Sequence, residues 1–175
     1  MKKPLVFLLI LVPVAIFVIL YHSRPYLICP VDYKDNIIIR SDGRGDGFFA
    51  SHRNGRRLHL GVDLAAPLYA PVKAARSGKV ISATANRGMG KYVIISHGRG
   101  ITTLYGHLSA IDVVPAQRVR QGQVIGKVGK TGNARFSGIQ PHLHFEIRQN
   151  GIYQDPLEYM IRYKENPKLQ IPNHK

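Results

Sequence analysis

This 175-residue sequence contains a single cysteine, Cys29, so no disulfide bond forms within the chain. It is also poor in acidic residues: 10 Asp and Glu stand against 25 Lys and Arg, which gives a formal net charge of +15. Such an imbalance favours anionic partners. The basic residues are spread along the chain, however, and no basic stretch is interleaved with aromatic residues. We therefore expect no nucleic-acid binding and interpret the charge as a basic surface suited to an anionic cell envelope.

A long apolar run lies near the N-terminus, where residues 4–21 carry no charge and follow Lys2 and Lys3. As a helix, about 18 residues span roughly 27 Å, close to the ~30 Å hydrocarbon core of a bilayer. The run lacks the small residues of an Ala-x-Ala-like cleavage site, which argues against a removed signal peptide. We therefore expect residues 1–22 to form an uncleaved transmembrane anchor.

No segment between residues 58 and 148 shows a convincing 3.6-residue hydrophobic period, and the chain has no internal repeat or low-complexity tract. Short apolar alternations separated by Gly and Pro are instead typical of β-strands, so we predict a mainly β domain. The candidate strands are Ile37–Arg40, Leu58–Leu64, Pro71–Ala75, Gly78–Ala85, Tyr92–His97, Ile101–His107, Gln123–Val128 and His142–Arg148. Other predicted features are a loop at Ser41–Gly55, a hairpin at Gly98–Gly100 and a short helix at Pro156–Lys164.

The residues best suited to metal binding or catalysis lie in three separated segments: RRLHLGVDL, LYGHLS and PHLHFE. They contain His59 and Asp63, then His107, then His142 and His144. Zinc accepts imidazole nitrogen and carboxylate oxygen, and a catalytic zinc site uses three protein ligands with one position left for water. Alternate residues of a strand share a face, which groups His59 with Asp63 and His142 with His144.

Five candidates exceed the three ligands that such a site needs, so two imidazoles would lie beside the reacting group. Gly61, between His59 and Asp63, is expected to leave room for the metal. No His-Glu-x-x-His motif is present, so a histidine rather than a glutamate must transfer protons. Spacing alone does not decide which histidines bind the metal. The other histidines, interpreted as structural or solvated, are His22, His52, His97 and His174.

These segments resemble the lysostaphin-like peptidoglycan endopeptidases, zinc enzymes that cut peptide cross-links of bacterial cell walls. The family pattern of His-x3-Asp, His-Leu-Ser and His-x-His is present in that order. The likeness continues through VDLAAP, APVKAARSGKV, YVIISHGRGITTLYGHLS and VRQGQVIGKVGKTGN, and covers roughly Asp42 to Gly151. Two departures stand out: Ile139-Gln140 replaces the common Thr-Gly before Pro141, and residues 116–119 replace a common Gly-x-x-Val.

The resemblance implies an antiparallel β-sheet core with an open groove, one Zn²⁺ per chain, and peptidoglycan stem peptides or cross-bridges as the partner. It implies His59, Asp63 and His144 as zinc ligands, with His107 and His142 as catalytic imidazoles that act on water and the oxyanion. We expect the domain to lie on the outer (periplasmic or cell-wall) side of a bacterial cytoplasmic membrane. The expected divisions are the anchor (1–22), a connector long enough to cover the groove (23–55), the endopeptidase domain (56–165) and a polar tail (166–175).

Two other functions fit parts of the sequence. A non-catalytic module of the same fold would hold wall peptides or activate another hydrolase, as degenerate relatives do after losing ligands. All five site residues are present here, which favours the enzyme. A carrier-type β domain is suggested by VRQGQVIGKVGKTG, with Lys127 or Lys130 modified at a turn tip, but it gives the histidines no role. The cross-link that is cut is not decided, since the family uses both D-Ala–diaminopimelate cross-links and glycine bridges.

Overall fold

The computed structural model of the protein describes residues 27–53 and 57–160. Within these ranges the chain forms short strands, one 3-10 helix at Gly132–Arg135 and one α-helix, α1, at Pro156–Tyr159. The strands are β1 (Ser41–Asp42), β2 (Gly45–Asp46), β3 (His52–Arg53), β4 (Arg57–Leu58), β5 (Val62–Ala65), β6 (Pro71–Lys73), β7 (Gly78–Asn86), β8 (Gly90–Ser96), β9 (Ile101–Leu108), β10 (Ala110–Ile111), β11 (Arg118–Val119), β12 (Val124–Lys127), β13 (His142–Gln149) and β14 (Ile152–Gln154).

The largest sheet is antiparallel and has seven strands. Six of them follow the order β11-β7-β8-β9-β13-β14, and β5 pairs with the first half of β13, ahead of β14 on the same side. This arrangement confirms the prediction of a mainly β, antiparallel fold. The predicted N-terminal helix lies outside the described residues, among which no helix is long and apolar enough to cross a membrane.

One hydrophobic core joins the large sheet to a three-stranded sheet of order β10-β12-β6. Val93 and Phe145 contribute from the large sheet, and Val72 and Ile125 from the small one. The core also includes Leu27 and Val31, which precede every strand. The first described residues are therefore part of the packed domain.

The predicted strand Leu58–Leu64 is interrupted, because β4 ends at Leu58 and β5 begins at Val62. Gly61 lies in the break, and a Cβ there would come within 2.3 Å of the Phe145 carbonyl oxygen. The expectation that Gly61 leaves room for a metal is wrong. Its missing side chain instead lets the chain approach β13 closely.

The predicted loop Ser41–Gly55 contains short pairings, since β1 pairs with β2 and β3 pairs with β4. The predicted strand Ile37–Arg40 is wrong: within it, only Ile39 forms a bridge, to Leu64. Strands β10, β11 and β14 escaped prediction, since each has only two or three residues and too little alternation to detect.

Two predicted local elements are present where the sequence places them. The hairpin at Gly98–Gly100 joins β8 to β9, and both glycines have positive φ, which a tight turn requires. Helix α1 begins at Pro156, where the carboxylate of Asp155 accepts a hydrogen bond from the Leu157 backbone N–H at 2.9 Å. The end of that prediction, residues 161–164, lies outside the described residues.

Candidate metal centre

Strand β13 positions the centre, because it lies between β5 and β9. His144 is directly opposite Asp63 on β5 and opposite Gly106 on β9. His142 lies two residues earlier on the same face. Phe145 points to the other face, where it is fully buried in the core. Alternation along one strand thus separates a polar face from the core face.

His59 reaches the centre from the break between β4 and β5. Its Nδ1–H donates to the Phe48 carbonyl at 2.9 Å, and its backbone N–H donates to the Ser51 carbonyl at 2.8 Å. A carbonyl only accepts hydrogen bonds, so this contact places the proton of a neutral His59 on Nδ1. The segment around residues 48–51 therefore fixes both the position and the tautomer of His59.

Three donor atoms form a small triangle. His144 Nδ1 lies 2.9 Å from Asp63 Oδ1 and 3.0 Å from His59 Nε2, and His59 Nε2 lies 3.1 Å from Asp63 Oδ1. Tetrahedral zinc with bonds of about 2.0–2.1 Å separates its ligand atoms by roughly 3.3 Å. The triangle is within a few tenths of an ångström of that spacing.

The outer hydrogen bonds of the two imidazoles favour a cation within this triangle. His144 Nε2 lies 3.2 Å from Glu146 Oε1, which only accepts, so a neutral His144 presents a lone pair at Nδ1. His59 likewise presents a lone pair at Nε2. With both imidazoles neutral, two lone pairs and the Asp63 carboxylate oxygen converge, and only a proton or a metal cation between them removes the repulsion. The donor set and its outer hydrogen bonds are those that zinc uses in proteins.

The charges around His144 also favour a cation. Burial alone would lower the pKa of His144, but hydrogen bonds to Asp63 and Glu146 outweigh it and raise the pKa to about 9. Burial alone would raise the pKa of Asp63, but hydrogen bonds from His144 and His59 hold it well below its usual value. Glu146 behaves in the same way: burial raises its pKa, and the contacts with His144 and Arg148 together lower it by more.

His107 lies at an irregularity of β9. The pairing of β8 with β9 passes from Val93↔Tyr105 to Lys91↔Leu108, so β9 carries one extra residue there, and His107 has a φ of +62°. Regular alternation would place His107 on the core face with Tyr105. The bulge turns it to the other face, where its ring centroid lies 5.1 Å from that of His142 and 5.6 Å from that of His144.

His107 and His142 share an arrangement of hydrogen bonds. His107 Nδ1 lies 3.0 Å from the Thr131 carbonyl and 3.1 Å from the Met89 carbonyl, and His142 Nδ1 lies 2.7 Å from the Gln140 carbonyl. Both Nδ1–H groups therefore donate to backbone, which leaves each Nε2 as the free proton acceptor. His142 Nε2 lies 3.8 Å from Asp63 Oδ1, on the metal-facing side.

Burial keeps both of these imidazoles neutral. It lowers the pKa of His142 despite the nearby carboxylate of Asp63. Burial, together with the neighbouring His144 and His142, lowers the pKa of His107 to about 3. Both imidazoles therefore present an Nε2 lone pair at neutral pH.

Two arginines hold the outer oxygen of Asp63. Arg40 contacts Oδ2 through Nη2 at 2.9 Å and Nε at 3.2 Å, and Arg53 contacts it through Nη2 at 2.7 Å. Arg40 also forms an ion pair with Asp42, whose other oxygen accepts the Gln140 backbone N–H. Oδ1 is thereby left to face the histidines. Arg40, Arg53 and Asp42 all come from the segment that precedes β4.

The structure brings all five predicted site residues into one buried cluster, in which each side chain is 3–8% exposed. His97 lies elsewhere, with hydrogen bonds to the Ser77 carbonyl and Thr103, and His52 is exposed. His22 and His174 lie outside the described residues. Cys29 is not part of the donor cluster, and burial raises the pKa of its thiol to about 12.

Sequence reasoning missed the residues that support the donor atoms. Glu146 was detectable, because the alternation that groups His142 with His144 continues to it. Arg40 and Arg53 carried no signal, since nothing in the sequence relates them to Asp63. The unusual Gln140 contributes through its backbone, while its side chain is exposed.

The family model for peptidase family M23 matches residues 57–156, which include the whole donor cluster. Among curated proteins, the DD-carboxypeptidase/endopeptidase Mpg of Neisseria meningitidis is 46% identical over 105 residues, which are 60% of this chain and 23% of the relative. The lipoprotein NlpD/LppB homologue of Pseudomonas aeruginosa is 43% identical over 66% of this chain and 37% of its own. The peptidoglycan DD-endopeptidase ShyA of Vibrio cholerae is 42% identical over 74% of this chain and 28% of its own. The chain thus spans well under half the length of these relatives.

Solved structures with the same fold include two peptidases and one member of a pore-forming complex. A zinc-containing peptidase from Vibrio cholerae superposes with a TM-score of 0.63 and 35% identity, over 76% of this chain and 39% of its own. The catalytic domain of lysostaphin from Staphylococcus simulans superposes with a TM-score of 0.55 and 34% identity, over 68% of this chain and 90% of its own. A chain of the SpoIIQ–SpoIIIAH pore-forming complex superposes with a TM-score of 0.62 and 30% identity, over 83% of this chain and 99% of its own.

Proposed function

This chain belongs to peptidase family M23, and we propose that it is a zinc-dependent endopeptidase that hydrolyses peptide cross-links of bacterial peptidoglycan. One observation supports this most: three donor atoms within 3.1 Å of one another lie beside two neutral imidazoles with free Nε2 atoms. His59, Asp63 and His144 are the proposed zinc ligands. His107 and His142 are the proposed catalytic residues. A zinc site agrees with the name of the zinc-containing neighbour, and peptidase activity agrees with the names of the endopeptidase relatives.

Bound zinc would supply Lewis acidity, which lowers the pKa of water towards neutrality and polarises a carbonyl group. The chain's own residues supply the rest. His142 Nε2, on the metal-facing side, accepts a proton from the attacking water and returns one to the leaving amine. His107 lies at the edge of the His142 ring, and its Nε2 lone pair accepts a hydrogen bond from the attacking water.

The outer residues keep these groups in place. Arg40 and Arg53 orient the Asp63 carboxylate, and Glu146 fixes the orientation of His144. Backbone carbonyls hold the tautomers of His107 and His142. Such outer hydrogen bonds are worth about 10–100-fold in metal affinity or activity at comparable sites.

The direct test digests purified sacculi with the full chain in neutral detergent and identifies the products by mass spectrometry. We expect zinc-dependent release of uncrosslinked muropeptides, and the product masses identify the bond that is cut. His142→Gln is the matched inactive control, since it keeps size and polarity but removes the titratable nitrogen. A zinc-loaded, folded protein that releases nothing from sacculi of several cross-link types would overturn the proposal.

The SpoIIQ–SpoIIIAH neighbour favours one alternative, a non-catalytic role in an assembly. All five residues of the cluster are present in this chain, which supports the enzyme. Zinc content and muropeptide release separate the two roles. The alternative predicts a folded chain that binds wall peptides without cutting them.

We further propose that residues 1–22 anchor the chain in the bacterial cytoplasmic membrane as a single-pass helix, with the endopeptidase domain (56–165) on the outer side. Residues 23–55 connect the anchor to this domain, with Leu27 and Val31 packed in its core and with the length to cover a substrate groove, and residues 166–175 form a polar tail. The uncharged run at residues 4–21 supports the anchor. The lipoprotein name of the Pseudomonas aeruginosa relative agrees with an envelope location. Protease protection of the N-terminus in sealed vesicles would test the orientation.

A further inference from the structure

An open cavity of about 850 Å³ lies at the β7–β11 edge of the large sheet. Strands β8 and β9 separate β7 from β13, which at about 4.8 Å per strand places the cavity roughly 14 Å from the metal centre. The two sites are therefore distinct. The cavity is lined by Ser77, Gly78, Lys79, Ser96, His97, Gly98, Arg118, Val119, Arg120 and Gln123.

The lining of this cavity is cationic. Lys79, Arg118 and Arg120 are exposed there, and no carboxylate is among the lining residues. Lys79 and Arg118 are direct cross-strand partners in the β7–β11 register. Like charges directly opposite each other on neighbouring strands destabilise a sheet. A bound anion between the two strands would remove that repulsion.

A further cation lies beside the cavity. Arg76 immediately precedes the lining residue Ser77, and its Nη1 is buried with no hydrogen-bond partner among the described residues. Arg76 is close enough to His97, another lining residue, to help lower the pKa of that imidazole, although burial is the larger cause. Three cations thus line the cavity, a fourth is adjacent in the chain to the lining residue Ser77, and no lining residue carries a negative charge.

We propose that this cavity binds the phosphate group of anionic phospholipids and so orients the domain on the membrane surface. The inference rests on the proposed membrane anchor. A phospholipid headgroup presents an anionic phosphodiester that Arg and Lys bind through charge-assisted hydrogen bonds. Clusters of basic residues next to a membrane segment bind anionic lipid surfaces in the same way.

The path of the chain connects the cavity to the anchor. The Ile28 backbone N–H donates to the Ala75 carbonyl at 2.9 Å, and the Gln121 side-chain amide donates to the same carbonyl at 3.0 Å. The Gln121 backbone N–H in turn donates to Ser77 Oγ, in the cavity wall. The described chain therefore begins beside the cavity. Residues 22–26 separate it from the apolar run and span at most about 20 Å.

The test uses the full chain in neutral maltoside micelles, titrated with a short-chain phosphatidylglycerol and followed by backbone amide NMR. We expect saturable shifts at Gly78 and Val119, and none with the matching phosphatidylcholine. The triple variant Lys79→Gln/Arg118→Gln/Arg120→Gln should weaken binding on the order of 100-fold, about fivefold per cation. Its melting temperature should not fall, because a repulsive pair is removed.

A matched control, Arg57→Gln/Arg87→Gln/Lys127→Gln, removes three exposed cations outside the cavity and should bind within about twofold of the parent chain. Equal losses in the two triple variants, or equal binding of phosphatidylcholine, would overturn the proposal. The proposal would also fail if inorganic phosphate or a poly(glycerol phosphate) saturated the shifts of the same amides and phosphatidylglycerol did not. That result would assign the cavity to free phosphate or a wall polymer. Flotation with phosphatidylcholine vesicles tests the anchor separately, and muropeptide release tests the enzyme.

Discussion

Replacing Arg40 by methionine tests whether the proposed zinc site depends on a residue outside the family-matched region. Arg40 is 4% exposed and makes two contacts with Asp63 Oδ2 and one with Asp42. Its removal leaves Asp42 without this cation and the Oδ2 atom of Asp63 with Arg53 as its only arginine partner. Breaking a buried ion pair from one side costs about 3–5 kcal/mol, and the remaining Arg53 places the expected loss near the lower value.

The effect on the metal follows from the same contacts. Without Arg40, only Arg53 holds Oδ2, so the Asp63 carboxylate is less firmly oriented and Oδ1 is less well fixed opposite His59 and His144. We expect zinc affinity to fall about 10–100-fold. Competition with a chromophoric chelator measures this affinity, and urea unfolding of the metal-free protein measures the stability separately.

Two further variants make the test specific. Arg40→Lys keeps the charge but loses the fork that contacts both carboxylates, so its zinc affinity should lie between those of the parent and Arg40→Met. Arg44→Met changes an exposed arginine of the same segment and should leave zinc affinity within twofold. A folded Arg40→Met protein with the parent's zinc affinity would refute the positioning role.

Four other outcomes follow from the structure. Chelation should abolish muropeptide release and added Zn²⁺ should restore it, and continued cleavage in excess chelator would rule out the mechanism. His142→Ala should keep one zinc per chain and lose about 10²–10⁴-fold in cleavage rate, whereas loss of the metal itself would make His142 a ligand. Leu27→Ala should lower the free energy of unfolding by about 2–5 kcal/mol, against less than 0.5 for the exposed Ile38→Ala, in urea unfolding. Folding lowers the pKa of His97 below 6.5, so the unfolded chain binds more protons than the folded chain as the pH falls below that value. The free energy of unfolding should therefore decrease below pH 6.5, and His97→Gln should make its dependence on pH less steep in thermal melts at several pH values.

Much of the fold was readable from the sequence because strand periodicity is local. The alternating segments that became β7, β8, β9 and β13 were each predicted within a few residues of their observed ends. The errors fall where tertiary contacts decide the backbone. The break in Leu58–Leu64 arises because the chain must approach Phe145 closely at Gly61, a contact 84 positions away along the chain.

The donor cluster was also predictable as a set, but its construction was not. His107 should lie on the core face by alternation, and only the bulge in β9 brings it to the metal face. Bulges depend on the pairing of two strands, so the sequence of β9 alone does not predict a bulge. Arg40 and Arg53 were missed for a related reason, since an arginine in a Gly-rich segment has no pattern that identifies its carboxylate partner.

The different environments of His142 and His144 follow from register rather than from either residue. Both lie on one face of β13, so alternation treats them alike. The pairing with β5 places His144 opposite Asp63 and His142 opposite Ala65, which offers no donor atom. Glu146 then lies on the outer side of His144, whereas the outer nitrogen of His142, Nδ1, faces the Gln140 carbonyl. A carboxylate on each side of His144 favours a cation there, whereas burial lowers the pKa of His142 and leaves that imidazole neutral. A shift of β5 by two residues would place Asp63 opposite His142 instead, so the close contact at Gly61 that helps fix this register also helps to determine which histidine lies opposite Asp63.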